Sequence, residues 1–263
     1  MARRIGRHFV GKVGTINTRL YRGMEVMQSN PGRGKVKQTA NTKKAAGIFG
    51  KSSALAASFR TGLKPVINGN YDGEMISTFT GMMRTIVQQC YNAEDSTFNF
   101  EKDDFNSLVG FDFNKRSPLL KNMWIAPTAE LSNNILRITI PALKIGDDLK
   151  FPERTNLCKI KVVMGIYNLT EGYLQNYTPI QLINVNAEDD IVESQHLDFD
   201  VPAGCVCFAG IGLNYYTLAQ NIAHQANNKD FNPAAICGVF VNDGEWEMGR
   251  VADWTRVQKA VFK

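Results

Sequence analysis

From Met123 onward the chain reads as seven short apolar runs: MWIAPTAEL, ILRITIPAL, CKIKVVMGIYNL, QLINVNA, HLDFDV, CVCFAGIGLNYY and AICGVFV. Turn formers separate them, at Gly146-Asp147-Asp148, Thr170-Glu171-Gly172, Pro202-Ala203-Gly204 and Asn242-Asp243-Gly244. β-branched and aromatic residues at this spacing mark strands, and strands that follow one another without intervening helices pair antiparallel. The spacing therefore predicts an antiparallel β-sandwich over 123–263 and argues against a parallel α/β sheet. One short helix is expected within this half, over TLAQNIAHQANN at 217–228, and the tail ADWTRVQKAVFK is expected to dock on the body as a helix or a strand.

The first half has a different rhythm. Residues 8–28 mix β-formers with Gly11, Gly14 and Gly23, and apolar and polar residues alternate over Thr15 to Arg19, which predicts a hairpin turning near Tyr21–Gly23. A basic, turn-rich connector follows. From about Thr42, Ile48, Leu55, Phe59 and Leu63 recur at helical spacing, with Thr39, Asn41 or Thr42 as candidate caps and Gly62 with Pro65 as the stop. A second helix is expected from Asp72 to about Tyr91, with Met75, Phe79, Met82, Ile86 and Cys90 on its inward face. Residues 93–122, where acids alternate with phenylalanines, read as an irregular linker or edge segment. The expected fold class is α+β: an N-terminal β-hairpin and two helices, then an antiparallel immunoglobulin-like β-sandwich. The corresponding segments are a basic arm (1–40), a helical part (41–92), a linker (93–122) and a β body (123–263).

Charge divides the chain as sharply as pattern does. Fourteen of its thirty Lys and Arg residues lie in 1–64, where the only acid is Glu25, so this part carries +13 and the remainder −8. Such an arm repels itself unless an anionic surface is near, and three readings stand side by side: a solvated basic surface, docking on another copy of the chain, and contact with a nucleic acid. The residues expected to carry assembly or polyanion binding are Arg3, Arg4, Arg7, Arg19, Arg22, Arg33, Lys35, Lys37, Lys43 and Lys44. Few aromatics interleave with them (Phe9, Tyr21 and Phe49), so base stacking is a minor theme.

Catalytic and metal-binding patterns do not survive inspection. GRGK at 32–35 lacks the earlier glycine and the following Ser or Thr of a phosphate loop. His196 has Asp198 two residues on, yet no nucleophile stands in a Gly-x-Ser-x-Gly setting. The acidic groups Glu101-Lys102-Asp103-Asp104 and Glu188-Asp189-Asp190 lack calcium-loop spacing and read as solvated turns, each also a possible counterpart for a neighbour's arm. Five cysteines lie mostly among apolar residues and read as small core side chains; Cys205 and Cys207 would share one strand face. No apolar run approaches the roughly 20 residues of a membrane-spanning helix, and the basic start lacks the apolar stretch of a secretory signal. No cofactor, metal, membrane span or small-molecule substrate is expected, and synthesis in the cytoplasm is, with a virion or other assembled particle as a further destination.

Gly11-Lys12-Val13-Gly14, Arg22-Gly23, Ser29-Asn30-Pro31, Thr39 to Thr42, Phe49 and Arg60-Thr61-Gly62-Leu63 stand in an order that resembles the opening of an uncharacterised family of Bacteroidota proteins. The VVMGIYN strand, Val201-Pro202 and the final AICGVF strand resemble its second half in plan. The resemblance implies an N-terminal hairpin and helix with a C-terminal β-sandwich, and implies no activity. Together these readings lead to the expectation of a non-enzymatic structural protein that self-assembles through its basic arm into a homo-oligomer, filament or capsid-like shell. The alternative is a nucleic-acid-binding protein, such as a genome-contacting capsid subunit.

Overall fold

The structure, a computed structural model, describes residues 2–21, 23–30, 37–220 and 222–263. It divides into two compact units, 1–46 and 47–263. In the first, β1 (Arg3–Ile5), β2 (His8–Val13), β3 (Ile16–Tyr21) and β4 (Met24–Ser29) form one antiparallel sheet in chain order. Ile5 pairs with His8, Val13 with Ile16 and Tyr21 with Met24, so each connection is two residues long. Two-residue hairpin turns need positive φ, and Gly6 (59°), Gly14 (58°) and Gly23 (79°) supply it. The expected hairpin with its turn before Met24 is present, and the chain reverses twice more than the sequence reading anticipated. The strand Arg3–Ile5 is too short and too polar to announce itself.

In the second unit the helices are α1 (Ala40–Gly62, whose start lies in the first unit), α2 (Lys64–Ile67) and α3 (Met75–Gln89). The Thr39 hydroxyl accepts the Thr42 N–H at 3.2 Å and caps α1. Pro65 does not simply end the helix: it sits in the first turn of α2, where its missing N–H costs nothing. Asp72 Oδ1 accepts the N–H groups of Glu74 (2.7 Å) and Met75 (2.9 Å), which fixes the start of α3. Leu55, Ala56 and Phe59 of α1 and Met75, Phe79, Met83, Ile86 and Val87 of α3 are buried, while Met82 and Cys90 are half-buried at the margin.

The remaining strands are β5 (Thr128–Ser132), β6 (Ile135–Ile140), β7 (Leu143–Lys144), β8 (Leu157–Asn168), β9 (Tyr173–Gln175), β10 (Ile180–Asn186), β11 (Ile191–Val192), β12 (Gln195–Asp200), β13 (Cys205–Ala219), β14 (Ile222–Gln225), β15 (Ala234–Asn242) and β16 (Trp254–Arg256). All their pairings are antiparallel, so the class is α+β. A seven-stranded sheet is built on the long β8–β13 pair, with β10 and β9 beside β8 and β15 and β14 beside β13. A three-stranded sheet runs β12-β6-β5, and β11 pairs with β7.

Side chains alternate across β8 and β13 into two different cores. Val163, Tyr167, Val206 and Phe208 join the helices, whereas Ile160, Val162, Met164, Ile166, Cys207 and Ile211 join Leu136 and Ile138 of β6 and Phe199 of β12. Burial on both faces is why these strands read as continuous apolar runs instead of alternating ones.

Three stretches differ from expectation or sharpen it. The expected helix over 217–228 is replaced among its described residues by strands: Thr217 pairs with His224 and Ala219 with Ile222, prolonging β13 into a hairpin. The Asn156 side chain holds that hairpin, accepting the Leu218 N–H at 2.7 Å and donating to the Leu218 carbonyl at 3.1 Å. Residues 93–122 are irregular but belong to the body's packing, with Phe105, Leu108 and Phe113 fully buried. Their backbone lies along β15, where Gly110 N–H reaches the Ile236 carbonyl (2.8 Å), Ile236 N–H the Phe111 carbonyl (3.1 Å) and Phe113 N–H the Ala234 carbonyl (2.9 Å). The C-terminal tail docks through β16 on β9, the buried Phe262, and a 2.8 Å hydrogen bond from the Tyr167 hydroxyl to the Ala260 carbonyl. No helix among the described residues is long and apolar enough to cross a membrane.

Candidate interaction surface

The β1–β4 sheet is folded but has almost no interior: of its described residues only Thr18 is buried. Register separates its two faces. Val13 stands opposite Ile16 and Thr18 opposite Met27, and period-2 alternation along β3 adds Leu20 to that side. Lys12, Asn17 and Gln28 form a row on the other side, with Arg19 opposite Val26 and Tyr21 opposite Met24. The Arg19 guanidinium lies 5.9 Å from the centre of the Tyr21 ring, a cation–π distance.

Seven of the ten cationic positions singled out in the sequence fall on described residues, and all seven are exposed. Arg3 and Arg4 are on β1, Arg7 is in the following turn, Arg19 is on β3, Lys37 precedes α1, and Lys43 and Lys44 are in its opening turns. Arg22, Arg33 and Lys35 lie outside the described residues. The seven described charges are spread over two strands, a turn and a helix start and are not gathered round one pocket. His8 Nδ1 lies 3.3 Å from Glu25, the unit's single acid. The first turn of α1 contains no acid, so Lys43 and Lys44 add positive charge where the helix dipole is already positive.

On the body, the acids take different roles. Across the three-stranded sheet, Glu130 stands opposite Arg137 and Arg137 opposite Asp198. Arg137 donates to both Asp198 oxygens at 2.7 and 2.6 Å, and this pairing holds the carboxyl below the usual carboxylate range. His196 Nδ1 is 3.0 Å from the Thr139 hydroxyl. Asp198 thus serves the arginine, and the imidazole is oriented by the neighbouring strand. Asp104 turns inward, accepting the Glu101 N–H at 2.6 Å and the Cys90 thiol at 3.3 Å, which is a structural role that a solvated turn would not have. Glu188, Asp189 and Asp190 line an open concavity of about 700 Å³ together with Lys144 and Lys150. Asp189 accepts the Asn186 N–H at 2.7 Å, and Lys144 pairs with Asp147 at 2.5 Å.

Cys205 and Cys207 do share one face of β13, inside the core beneath the small sheet. Burial pushes the thiols of Cys205, Cys207 and Cys237 up to about 12. Cys90 is pushed to about 12 by burial and then by Asp104. None is poised as a nucleophile or a metal thiolate.

What sequence reasoning missed is the register of the arm, which puts Val13, Ile16, Leu20 and Met27 on one side of the sheet and Tyr21, Met24 and Val26 on the other; the alternation over Thr15 to Arg19 was the one available signal. No protein-family model, curated protein or solved structure matched this chain.

Proposed function

We propose that the protein is a non-enzymatic structural subunit that assembles with copies of itself through its basic N-terminal unit, as an oligomer, filament or capsid-like shell. The observation that carries this reading is a four-stranded sheet that buries only Thr18 among its described residues. A small sheet exposed on both faces lacks the burial that stabilises folded structure, so a surface beyond it is required. The body offers one of opposite sign: residues 1–46 hold eleven Lys and Arg against one acid, and residues 47–263 carry a net −5. An arm on one copy meeting a body on the next is a heterologous contact, which closes into rings or shells or propagates as a filament. We read the body as an immunoglobulin-like sandwich, a view supported by two antiparallel sheets that contribute to one core.

The test is charge reversal at Arg3, Arg4 and Arg19 to Glu. Circular dichroism and melting of the body stay close to the parent, while the mass by light scattering falls to the 29.3 kDa monomer. Assembly that persists unchanged in this variant overturns the reading. A second reading, nucleic-acid binding, is favoured by the exposed Arg3, Arg4, Arg7, Lys12 and Arg19, and predicts affinity for DNA or RNA that falls steeply with salt.

A further inference from the structure

Going beyond the arm and its assembly, we infer that a cleft on the body, beside β15, binds a primary alkylammonium group at Asp112. The cleft encloses about 90 Å³, the space of about three water molecules. Its walls include Val109, Leu119, Leu120, Pro127 and Ile236, and Asp112 is the one carboxylate among them. Val109 and Leu120 are 46% and 54% exposed, so the cleft is open to solvent on their side. Asp112 is placed there by its neighbours. The 110–113 segment lies along β15, with Asp112 bridged to Ala235, while Phe113 is buried in the helix-side core and Phe111 packs against it. Alternation then sends the residue between the two rings to the opposite side.

Asp112 Oδ1 accepts the Leu119 N–H at 2.8 Å, and this is the carboxylate's only hydrogen bond or ion pair among the described residues. Lys115 and Arg116, close in sequence, are paired with Glu74 and Asp230. Burial pushes the Asp112 carboxyl above its ordinary range, against the pull of the Leu119 N–H. A half-buried carboxylate between aliphatic walls suits a cation that brings apolar surface with it. A divalent metal requires several oxygen ligands, and the cleft offers one carboxylate. A guanidinium binds best across both oxygens, and Oδ1 is already turned to Leu119. A primary ammonium needs a single oxygen and lays its methylenes along the walls, as a lysine stem does. Such a group comes from a small amine or from a lysine side chain of another molecule.

Saturation-transfer NMR on the full-length protein tests this, with n-butylammonium chloride as the probe and 1-butanol as its neutral counterpart. Butylammonium should bind with a dissociation constant on the order of millimolar, and butanol about tenfold more weakly. Asp112→Asn keeps an oxygen for the Leu119 N–H and removes the charge, so it should weaken butylammonium about tenfold and leave butanol unchanged. Leu120→Lys, at an exposed position, sets a tethered ammonium beside the cleft and should compete with the probe, which keeps the test open if Asp112→Asn fails to fold. Butylammonium that binds no better than butanol, or binds the folded variants as it binds the parent, overturns the inference. Light scattering at constant ionic strength separates the two sources. Mass lost on adding butylammonium identifies a neighbour's lysine as the occupant, and unchanged mass identifies a free amine.

Discussion

Asp72 shows how much a single carboxylate organises. Its two oxygens accept N–H groups from Glu74, Met75 and, at 2.9 Å, Lys115, tying the start of α3 to the segment that covers β15. Partial burial works against the anion, but the three donors outweigh it and hold the carboxyl below its ordinary range. A depressed native pKa gives stability that is present above the unfolded value and is lost as pH falls through the native one. Asp72→Ala should therefore cost about 1–2 kcal/mol near neutral pH, as lost helix caps do. Urea melts should show the gap between parent and variant closing below about pH 4, where the unfolded carboxylate protonates; a gap independent of pH would contradict this account of the cap. The cysteines make a second prediction at this scale. With four thiols pushed to about 12 and Cys158 also raised by burial, a thiol reagent near pH 8 should find almost none of the five in the native protein and all five after unfolding. Fast labelling of Cys158, Cys205 or Cys207 would show that β8 and β13 are not covered as described.

Among elements, the decisive contact is α1 against the centre of the large sheet. Phe59 stacks on Phe208 with ring centres 3.9 Å apart, and Phe208 lies over Gly165 and Gly62. A Cβ at Gly62 would stand 2.8 Å from the Phe208 ring, and one at Gly165 would run into the same ring. Gly165→Ala should destabilise the body by about 1–3 kcal/mol through overpacking. Combining it with Phe208→Leu should cost less than the sum of the two changes in denaturant melts, since both act on one space; strict additivity would refute the contact. This glycine pair was not legible in the sequence, because Gly165 inside VVMGIYN looks like any weak point in a strand until its neighbour across the layer is known. Helix α1 and the principal strands were legible, since their patterns arise from burial by the chain's own core. TLAQNIAHQ misled because helix propensity is a local preference, and the long partner strand with the Asn156 clamp outweighs it. In the Phe-rich 93–122 segment, expected as an irregular linker or edge segment, the burial itself was not legible: it has no period and comes from filling space between elements.

For the molecule as a whole, two units with opposite formal charge are joined in one chain, and among the described residues the buried apolar clusters belong to the larger. The division by charge was visible in the sequence; the near-absence of buried side chains among the arm's described residues was not, because it depends on strand register. A sheet with one buried side chain among its described residues is what the proposed self-assembly would complete. The most direct measurement is the mass of full-length protein by light scattering across salt concentrations, with absorbance at 260 nm on the same peak. Self-assembly through the arm gives a particle of several 29.3 kDa subunits at low salt, free of nucleic acid, that loses mass as salt approaches about 0.5 M and charges are screened beyond a few ångströms. A 29.3 kDa monomer under every condition would contradict it, and a particle held together by nucleic acid would transfer the arm's role to that partner.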